Sequence, residues 1–350
     1  MQLSNFDYNL PKELIAQTPV EPRDHSKLLI LDRKNKELKD KYFYDILDEL
    51  WENDVLVLNK TKVINARLHF VLENWKIWEI LLHKQIWEKT WDCLVYPGKK
   101  LKPWKIINIG TGTPQDEGVP VPKLTAEIKE ISQNWRIIEF NIWWIEFLKI
   151  LEKIWEIPLP PYIKEKLDNP DRYQTIWAEK EGSAAAPTAS LHFTNKLLEK
   201  LQNSGVKIEK VLLHVGLWTF MPVSSENIEE HHMHSEYIEL EKDVAERLNQ
   251  YKKTKKRIVA VWTTTIRVLE SFAWENWFLD YWSKETDIFI YPGYNWKFVD
   301  AIITNFHLPK STLLMLVSSF AWKYLIEKAY KHAIENKYRF FSFGDAMFIK

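Results

Sequence analysis

The sequence predicts an α/β fold in which a discontinuous α/β domain is interrupted by a small all-β barrel domain. Toward both ends of the chain, apolar strand-like runs alternate with amphipathic helical segments. Between residues 66 and 155, short strand-like runs recur at close spacing, separated by turn-like segments rich in Pro, Gly, Lys and Asn. We therefore predict an α/β domain from residues 1–65 and 156–350, and a β-barrel domain from residues 66–155.

The individual elements follow from the period of the apolar residues. In the α/β domain, strands are predicted at 27–31, 54–59, 206–215, 257–261, 287–291, 301–303 and 339–342. Helices are predicted at 43–50, 194–203 (with Thr194 as its N-cap), 241–252, 263–272 and 311–336. The inserted domain has strand-like runs at 80–82, 92–96, 105–109, 124–128 and 136–140, and the Pro-rich segment 157–162 ends it.

Composition excludes several classes of protein. The 48 basic and 48 acidic residues balance, so no overall positive field attracts nucleic acid, although a local basic patch still can. One cysteine, Cys93, permits no intramolecular disulfide and fits a reducing cytoplasm. The start has no signal-peptide pattern, and the most apolar stretch, 313–322, is too short to cross a bilayer. We expect a soluble cytoplasmic protein without a membrane anchor.

Glycine is scarce and tryptophan is abundant. The chain has 9 glycines and 18 tryptophans, whereas glycine ordinarily makes up about 7% of residues. Glycine supplies positive φ angles and close backbone approaches that tryptophan cannot supply at the same energy. Either the turns of this chain rely on Asn, Asp and Lys, or many glycine positions have been replaced.

Six polar peptides in the second half of the chain carry residues that a core does not require. Several follow a strand-like run or precede a helix, where an α/β scaffold places its chemistry. Three of them hold His192, His214 and His307 beside apolar residues; one such histidine alone is more often a core residue than a catalyst. Together they predict one composite active site. The peptides span residues 186–193, 213–216, 231–236, 263–267, 304–309 and 343–348.

An anion site is predicted at the start of the helix 263–272. Backbone N–H groups at a helix start, together with the helix dipole, favour an anion. Arg267 lies three residues after Thr264 on the same helical face, so the two could clamp a carboxylate or a phosphate. The alternative is an ordinary threonine N-cap beside a solvated arginine.

The segment 231–236 contains three histidines and a glutamate, which invites a metal interpretation. No H-E-x-x-H motif is present, however, and two histidines at i and i+3 are a weak signal alone. Acid/base or substrate-binding histidines without a metal are favoured here. His232 is interpreted as a bystander beside His231 and His234.

Basic residues after the strand 54–59 suggest contacts with RNA phosphates. Donors alternate with apolar residues there, although a solvated loop is the simpler interpretation of any single basic run. The motifs of P-loop nucleotide binding, dinucleotide binding and nucleophile-elbow hydrolysis are absent from the sequence. The candidate RNA-binding residues are Asn59, Lys60, Lys62 and Arg67.

The ordered set of peptides resembles the S-adenosylmethionine:tRNA ribosyltransferase-isomerase family of queuosine biosynthesis. The resemblance extends over nearly the whole chain. Its motifs include Phe6-Asp7-Tyr8, the segment 54–68, Pro158-Leu159-Pro160-Pro161-Tyr162-Ile163, Tyr173-Gln174-Thr175, Ala185-Ala186-Pro187-Thr188-Ala189, the histidine peptides, Thr304-Asn305-Phe306-His307-Leu308-Pro309 and the segment 338–347.

The resemblance implies a bacterial cytoplasmic enzyme, expected to be a monomer without a metal. Members of the family transfer and rearrange the ribosyl part of S-adenosylmethionine onto 7-aminomethyl-7-deazaguanine in the anticodon stem-loop of tRNA. They release adenine and methionine and leave epoxyqueuosine. This chemistry requires a base for the acidified proton beside the sulfonium, an acid that helps adenine leave, a clamp for the methionine carboxylate and a pocket for a splayed base.

The resemblance also assigns roles to residues. The acid/base and orienting groups it implies are His192, His214, His234, Glu236, His307 and Asp345. The residues implied in binding S-adenosylmethionine are Thr219, Thr264, Arg267, Asn305 and Phe343. Phe341 and Phe343 are candidate stacking platforms for a base. Asn59, Lys60, Lys62 and Arg67 would contact tRNA phosphates.

The chain departs from the family pattern at positions where glycine is expected. They are Trp155, Ser190, Trp218, Trp262 and Trp322. A bulky indole at Trp262 could fill the predicted anion site or distort its turn. Three alternatives follow: a tRNA-binding member with a blocked cofactor pocket, a metal enzyme using His231, His234 and Glu236, or a poorly folded scaffold without function.

Overall fold

The computed structural model describes residues 1–64, 67–71, 77–96, 101–109, 124–132, 135–143, 146–147, 159–160, 162–165, 167–216, 223 and 225–350. The chain divides into two compact units. The first combines Met1–Lys62 with Pro160–Lys350, and the second is Val63–Leu159. No helix within the described residues is long and apolar enough to cross a membrane.

Seventeen strands are described, and five α-helices. The strands are β1 (Lys27–Asp32), β2 (Glu37–Tyr42), β3 (Asp54–Asn59), β4 (Thr61–Val63), β5 (Arg67–Val71), β6 (Ile77–Trp87), β7 (Thr90–Tyr96), β8 (Ile106–Ile109), β9 (Leu124–Ser132), β10 (Trp135–Phe140), β11 (Lys180–Ser183), β12 (Lys207–Leu213), β13 (Glu236–Glu239), β14 (Arg257–Val261), β15 (Ser283–Thr286), β16 (Ala301–Asn305) and β17 (Ala346–Ile349). The α-helices are α1 (Asn195–Asn203), α2 (Lys242–Lys253), α3 (Thr263–Phe272), α4 (Thr312–Ala321) and α5 (Lys323–Glu335). Short 3-10 helices lie at Leu3–Phe6, Lys12–Leu14, Arg23–His25, Phe43–Asp48, Pro170–Tyr173, Thr188–His192 and Ile228–Glu230.

One mixed sheet of nine strands organises the first unit. Its order is β15-β13-β12-β3-β14-β16-β17-β1-β2. The four central strands β12, β3, β14 and β16 run parallel, and β17 runs antiparallel to β16 and parallel to β1. All six residues of β3 are buried, as expected for a strand covered on both faces. Their side chains belong to the main hydrophobic core.

The second unit is a closed barrel of six antiparallel strands in the order β10-β7-β6-β5-β8-β9. Its interior is filled by alternate residues of these strands, including Phe70, Ile80 and Cys93. Cys93 is fully buried, and its burial raises the pKa of the thiol well above the usual value. The predicted fold class, an α/β domain with an inserted all-β barrel, is confirmed.

The sequence placed one helix where the structure has two. The segment 311–336 was expected to be continuous, but α4 ends at Ala321 and α5 begins at Lys323. Trp322 between them has φ 59° and ψ 134°, which no helix accommodates. The predicted N-cap Thr194 is confirmed, since its Oγ1 accepts from Leu197 N at 3.1 Å. Ser311 caps α4 in the same way, with its Oγ accepting from Leu314 N at 3.2 Å.

Three further elements differ from expectation. The segment 43–50 forms the 3-10 helix Phe43–Asp48 rather than an α-helix. The segment 287–291 is not a strand; β15 ends just before it. The predicted strand 339–342 is a turn, because Phe341 has φ 72°, and the final strand is β17.

Among the residues that the structure describes, four tryptophans have a positive φ, which for a side chain of this size costs about 1–2 kcal/mol each. They are Trp104 (67°), Trp262 (72°), Trp277 (61°) and Trp322 (59°). Trp262 also has ψ 158°, a region that is essentially restricted to glycine. Trp262 and Trp322 are two of the positions at which the resemblance places glycine, whereas Trp155 and Trp218 lie outside the described residues.

Two equally exposed tryptophans test this strain. Trp104 has a positive φ, Trp87 lies at the end of β6, and both are 75% exposed. We expect Trp104→Gly to raise the free energy of unfolding by about 1 kcal/mol, because it relieves the left-handed strain. Trp87→Gly should lower it by about 0.5–1 kcal/mol, because glycine weakens a strand. Urea denaturation followed by circular dichroism measures both changes; a loss of stability in both variants would contradict the argument.

Candidate functional site

Polar side chains converge at the carboxyl edge of the central parallel strands. Asn59 ends β3, His214 follows β12, Thr264 is the second residue of α3 just after β14, and Asn305 ends β16. Within the parallel strands, whose order is β12-β3-β14-β16, the chain passes from β3 to its neighbour β12 on one side. It passes from β14 to its neighbour β16 on the opposite side. The point between β3 and β14 is therefore a topological switch point, where open α/β sheets bind ligands.

Asn59 ties three of these strand ends together. Its Nδ2 donates to Leu213 O at 3.0 Å and to Thr264 Oγ1 at 3.1 Å. Its Oδ1 accepts from the backbone N–H groups of Thr61 and Leu213. Asn59 is fully buried and its amide is saturated, so in this conformation it organises the edge and is not presented to an RNA phosphate.

Asn305 connects His192 and Asp345 through hydrogen bonds, as Asn59 connects the strand ends. Its Oδ1 accepts from Thr188 Oγ1 at 3.0 Å, and its Nδ2 donates to Asp345 O at 3.3 Å and lies 3.2 Å from His192 Nε2. Because an amide N–H donates, His192 Nε2 must accept, and the ring proton lies on Nδ1. That proton is donated to Ser26 Oγ at 2.7 Å. Both ring nitrogens of His192 are thus committed.

The surroundings of His192 keep it neutral. The ring stacks on Phe43 with centroids 4.9 Å apart. Burial, together with the nearby guanidinium groups of Arg339, Arg172 and Arg23, lowers the pKa of His192 to about 3. A neutral imidazole with both nitrogens bonded acts here as a positioning group.

Asp345 orients the turn before β17. Its Oδ1 accepts from Lys27 N at 2.8 Å and its Oδ2 from Arg339 N at 2.7 Å. Burial raises the pKa of Asp345, while these N–H bonds and the neighbouring cations oppose the rise. The carboxylate joins the starts of β1 and β17 at the same edge of the sheet.

His307 is a core histidine in this structure. It is 4% exposed, and its Nε2 lies 2.9 Å from Thr304 Oγ1. Its backbone N–H donates to Tyr330 Oη at 2.9 Å, and its carbonyl accepts from Tyr8 Oη. Burial lowers the pKa of His307 to about 3. No described hydrogen bond joins it to the Asn305 network.

His214 is the predicted histidine best placed for proton transfer. Its Nδ1 lies 2.9 Å from Thr61 Oγ1, and its ring is stacked on Tyr237. Burial lowers the pKa of His214 to about 4; Lys180 adds to the shift and Glu239 opposes it. A Cβ at Gly182 would come within 2.7 Å of Cε1 and Nε2, so only glycine leaves room for the ring there. Among the described contacts, Nε2 has no hydrogen bond.

Arg267 is already engaged by another predicted residue. Its guanidinium forms a buried ion pair with Glu236 Oε2 and donates to Thr286 O at 3.3 Å. Glu236 Oε1 accepts from Gly216 N at 2.9 Å. Thr264 Oγ1 accepts from Asn59 Nδ2 and keeps its own O–H to donate. Because Arg267 is paired with Glu236, the expected clamp of Arg267 with Thr264 is not open to a carboxylate in this conformation. Within the guanidinium of Arg267, Nε is buried without a hydrogen-bond partner.

The remaining candidates are dispersed. His234 is exposed, and within the described residues no three potential metal ligands gather. Lys60 pairs with Glu241 at 2.5 Å and Lys62 with Glu181 at 2.9 Å, both at the surface. Thr219 and the side chain of Arg67 lie outside the described part of the chain.

The phenylalanines proposed as stacking platforms are buried. Phe341 and Phe343 are 5% and 4% exposed. Phe341 packs on Tyr162 with ring centroids 4.8 Å apart, and Phe343 meets the edge of Tyr173 at 5.8 Å. In this conformation neither offers a face to an RNA base.

Trp262 occupies the switch point itself. It is the residue before α3, it is 3% exposed, and its indole belongs to the main core. Its backbone N–H donates to Ile303 O at 2.7 Å, which fixes the turn between β14 and α3. A glycine at this position would remove a buried indole from the residue that precedes α3.

Sequence reasoning missed Ser26 and Thr188, which hold His192 and Asn305. Ser26 lies in no pattern that signals chemistry and is 166 residues from His192 in sequence. Thr188 lies in the polar peptide 186–193 but was given no role of its own. It also gave no role to Tyr173-Gln174-Thr175, although that peptide was part of the resemblance.

Two comparisons with known proteins agree. A sequence profile described as "Queuosine biosynthesis protein" matches residues 3–349. The chain is also similar to the crystal structure of an S-adenosylmethionine tRNA ribosyltransferase from Thermotoga maritima, with 37% sequence identity and a TM-score of 0.56. That match covers 99% of this chain and 100% of the other.

Proposed function

Because the chain belongs to the queuosine biosynthesis protein family, we propose that it transfers and isomerises the ribosyl moiety of S-adenosylmethionine onto 7-aminomethyl-7-deazaguanine in the tRNA anticodon. Adenine and methionine leave, and epoxyqueuosine-tRNA is the product. In this proposal the enzyme acts as a cytoplasmic monomer, with S-adenosylmethionine as co-substrate and without a resident metal.

The observation that carries the proposal is the convergence of Asn59, His214, Thr264 and Asn305 at one edge of the sheet, on either side of a switch point. The edge combines a helix N-terminus, which favours an anionic group, with a neutral histidine that can accept a proton. Both features suit a reaction that binds a carboxylate and removes a proton beside a sulfonium.

In this proposal His214 transfers the proton, and Asn305 and Asp345 position the neighbouring groups. The low pKa of His214 leaves the imidazole neutral near pH 7, the form that accepts a proton. Thr61 fixes its Nδ1, so Nε2 is the nitrogen left for the substrate.

Replacing His214 by asparagine should lower the rate of adenine release by about 10²–10⁴-fold, the usual contribution of an acid/base group. Adenine is quantified by chromatography with saturating S-adenosylmethionine and RNA. His232→Asn, at an exposed bystander position, is the control. If the His214 variant folds like the parent and keeps its rate, His214 does not transfer the proton.

The reaction itself is tested by adenine release with and without an anticodon stem-loop that carries 7-aminomethyl-7-deazaguanine. Adenine that appears only with the modified RNA supports ribosyl transfer. Adenine release that does not depend on the RNA, from a folded sample, would point to another reaction of S-adenosylmethionine.

A second candidate function is RNA binding without catalysis, and the buried indole of Trp262 at the switch point favours it. The variant Trp262→Gly distinguishes the two. If the parent binds the stem-loop but only the glycine variant releases adenine, the indole blocks the cofactor. If both release adenine, the site tolerates the indole, and the binding-only function is rejected.

A further inference from the structure

The imidazole of His214 contacts three residues to which the sequence assigned no role. They are Thr61 in β4, Gly182 in β11 and Tyr237 in β13, and the space between them is called the imidazole slot. His214 itself follows β12, so the slot brings three other segments of the chain onto one side chain. Their contacts determine how the ring is held.

Thr61 holds one ring nitrogen. Its Oγ1 lies 2.9 Å from His214 Nδ1. Thr61 is fully buried, and its backbone N–H donates to Asn59 Oδ1 at 3.0 Å, so the hydroxyl is fixed relative to the strand ends of the site. When Nδ1 carries the ring proton and donates it to Oγ1, Nε2 is the nitrogen that keeps a lone pair to accept a proton.

Gly182 lies against the ring itself. A Cβ at this residue would be 2.7 Å from Cε1, 2.7 Å from Nε2 and 3.0 Å from Cδ2 of His214. Because the three distances are nearly equal, that Cβ would lie above the face of the ring and not beyond its edge. Gly182 therefore confines the ring on one face and leaves the in-plane direction of the Nε2 lone pair uncovered.

Hydrogen bonds tie the residues after Gly182 to the residue after His214. Ser183 Oγ accepts from Val215 N at 2.9 Å. Ala184 N donates to Val215 O at 2.9 Å. Since both backbone groups of Val215 are held in this way, the backbone of Gly182 cannot move away from the ring without breaking these bonds.

Tyr237 completes the slot, and two charged side chains lie next to it. Its ring stacks on the imidazole with centroids 5.7 Å apart, and its carbonyl accepts from His214 N at 3.0 Å. Its Oη donates to Glu239 Oε2 at 2.9 Å, and Glu239 pairs with Lys180 at 2.6 Å. Burial is the main cause of the low pKa of His214, and Lys180 and Glu239 act on it in opposite directions. The protonation of the ring thus depends chiefly on its staying in the slot.

We infer that Gly182, together with Thr61, is a positioning residue for the proton transfer assigned to His214: its missing side chain lets the imidazole lie in the orientation that presents Nε2 to the substrate. A Cβ at this position pushes the ring out of the slot and away from Thr61. The inference deepens the proposed function and rests on it, because it names what orients the proton-transfer group of that site. A displacement of about 1 Å is enough to slow an enzyme about 10²-fold.

Two glycine-to-alanine substitutions separate positioning of the ring from strain in the backbone. Gly182 has φ 142° and Gly293 has φ 104°, and alanine rarely adopts either angle. A Cβ at Gly293 meets no atom within 4 Å, whereas a Cβ at Gly182 meets the imidazole. Both variants should therefore lose some stability, but only Gly182→Ala should displace His214.

The first experiment is an NMR titration of the histidine ring protons in the parent, Gly182→Ala and Gly293→Ala, with His214→Asn to assign the signal. We expect Gly182→Ala to raise the pKa of His214 from about 4 toward 6.5, because the displaced ring becomes accessible to water. Gly293→Ala should leave it unchanged. A folded Gly182→Ala variant with the parent's value overturns the inference, as does an equal rise in Gly293→Ala.

The pair Thr61→Val and Thr61→Ser tests the slot from its other side, and remains decisive if Gly182→Ala does not fold. Valine removes the hydroxyl at nearly the same size, whereas serine keeps it. Nitrogen-15 chemical shifts show which ring nitrogen carries the proton. We expect Nδ1 in the parent and in Thr61→Ser, and a mixture of both tautomers in Thr61→Val. A Thr61→Val variant that keeps the parent's tautomer overturns the inference.

The rate of adenine release then separates the inference from the proposed function. At saturating S-adenosylmethionine and RNA, Gly182→Ala should be about 10²-fold slower than the parent, and Gly293→Ala should keep the parent's rate. A ring that moves without any loss of rate overturns the positioning role, since His214 then does not transfer the proton. The NMR measurements need no turnover, so a parent that released no adenine would refute the proposed reaction and still show whether Gly182 and Thr61 orient the ring.

Discussion

Acidification from about pH 7.5 to about pH 5.5 is expected to lower the free energy of unfolding by several kcal/mol. Three buried histidines are responsible. Burial lowers the pKa of His192 and His307 to about 3 and that of His214 to about 4, from an ordinary value of 6.5. Between these pH values the three histidines bind protons in the unfolded chain but remain neutral in the folded chain.

The sign follows from linkage. When the pKa of a histidine is lower in the folded state than in the unfolded state, the folded protein keeps its full stability at pH values above the unfolded pKa. That stability is lost as the pH falls below the unfolded pKa toward the folded one. Each such group contributes up to about 1.4 kcal/mol per pH unit, so three give at most about 4 kcal/mol per unit. Carboxylates with lowered pKa values, such as Asp40 and Glu239, act at lower pH, and Asp345 acts in the opposite direction.

Urea midpoints at several pH values measure the effect. His307→Gln removes one of the three groups and should reduce the pH slope by roughly a third, while His232→Gln at an exposed position serves as the control. A midpoint that does not change between these pH values would mean that the histidines protonate within the folded protein.

Removing the guanidinium of Arg267 is expected to lower the free energy of unfolding by about 3–5 kcal/mol, because Glu236 is then left as an uncompensated buried charge. The double variant Arg267→Met with Glu236→Leu should recover most of this loss, since apolar residues of similar volume replace buried ion pairs well. Lys62→Ala, which breaks the exposed pair with Glu181, should change stability by no more than about 1 kcal/mol.

Chemical denaturation of the parent, Arg267→Ala, the double variant Arg267→Met with Glu236→Leu, and Lys62→Ala tests this expectation. A mild effect of Arg267→Ala would mean that Glu236 finds solvent or another partner once the arginine is gone. The comparison also decides how cofactor binding should be measured: a loss of affinity in Arg267→Ala is interpretable only after its folding has been established, and Arg267→Lys is then the informative variant.

The sequence was sufficient for the fold class because period and spacing are local properties. The run 54–59 reads as a buried strand, and it is β3 at the centre of the sheet. The break at Trp322 was not predictable from period alone, because the apolar pattern of α4 and α5 continues across it. The positive φ of Trp322 is what separates α4 from α5.

The sequence predicted where the site residues lie, but not how they pair with one another. Residues at strand ends were correctly expected to meet, as Asn59 and Thr264 do. The sequence could not predict which of these residues pair with each other, because such pairing depends on tertiary geometry. Arg267 and Glu236 were assigned separate tasks, yet they form an ion pair. Asn59 was expected to contact tRNA phosphates, but it is fully buried.

The two outer strands of the nine-stranded sheet bear on how the molecule behaves at high concentration. At one edge, β2 reads Glu-Leu-Lys-Asp-Lys-Tyr, with Lys41 paired to Asp48 and Asp40 bonded to His332 and Tyr338. At the other edge, β15 has only four residues, Ser-Lys-Glu-Thr. Short, charged edge strands discourage another chain from adding to a sheet. This sheet is therefore a poor template for strand-to-strand aggregation, and crowding should favour separate molecules over fibrous contacts along it.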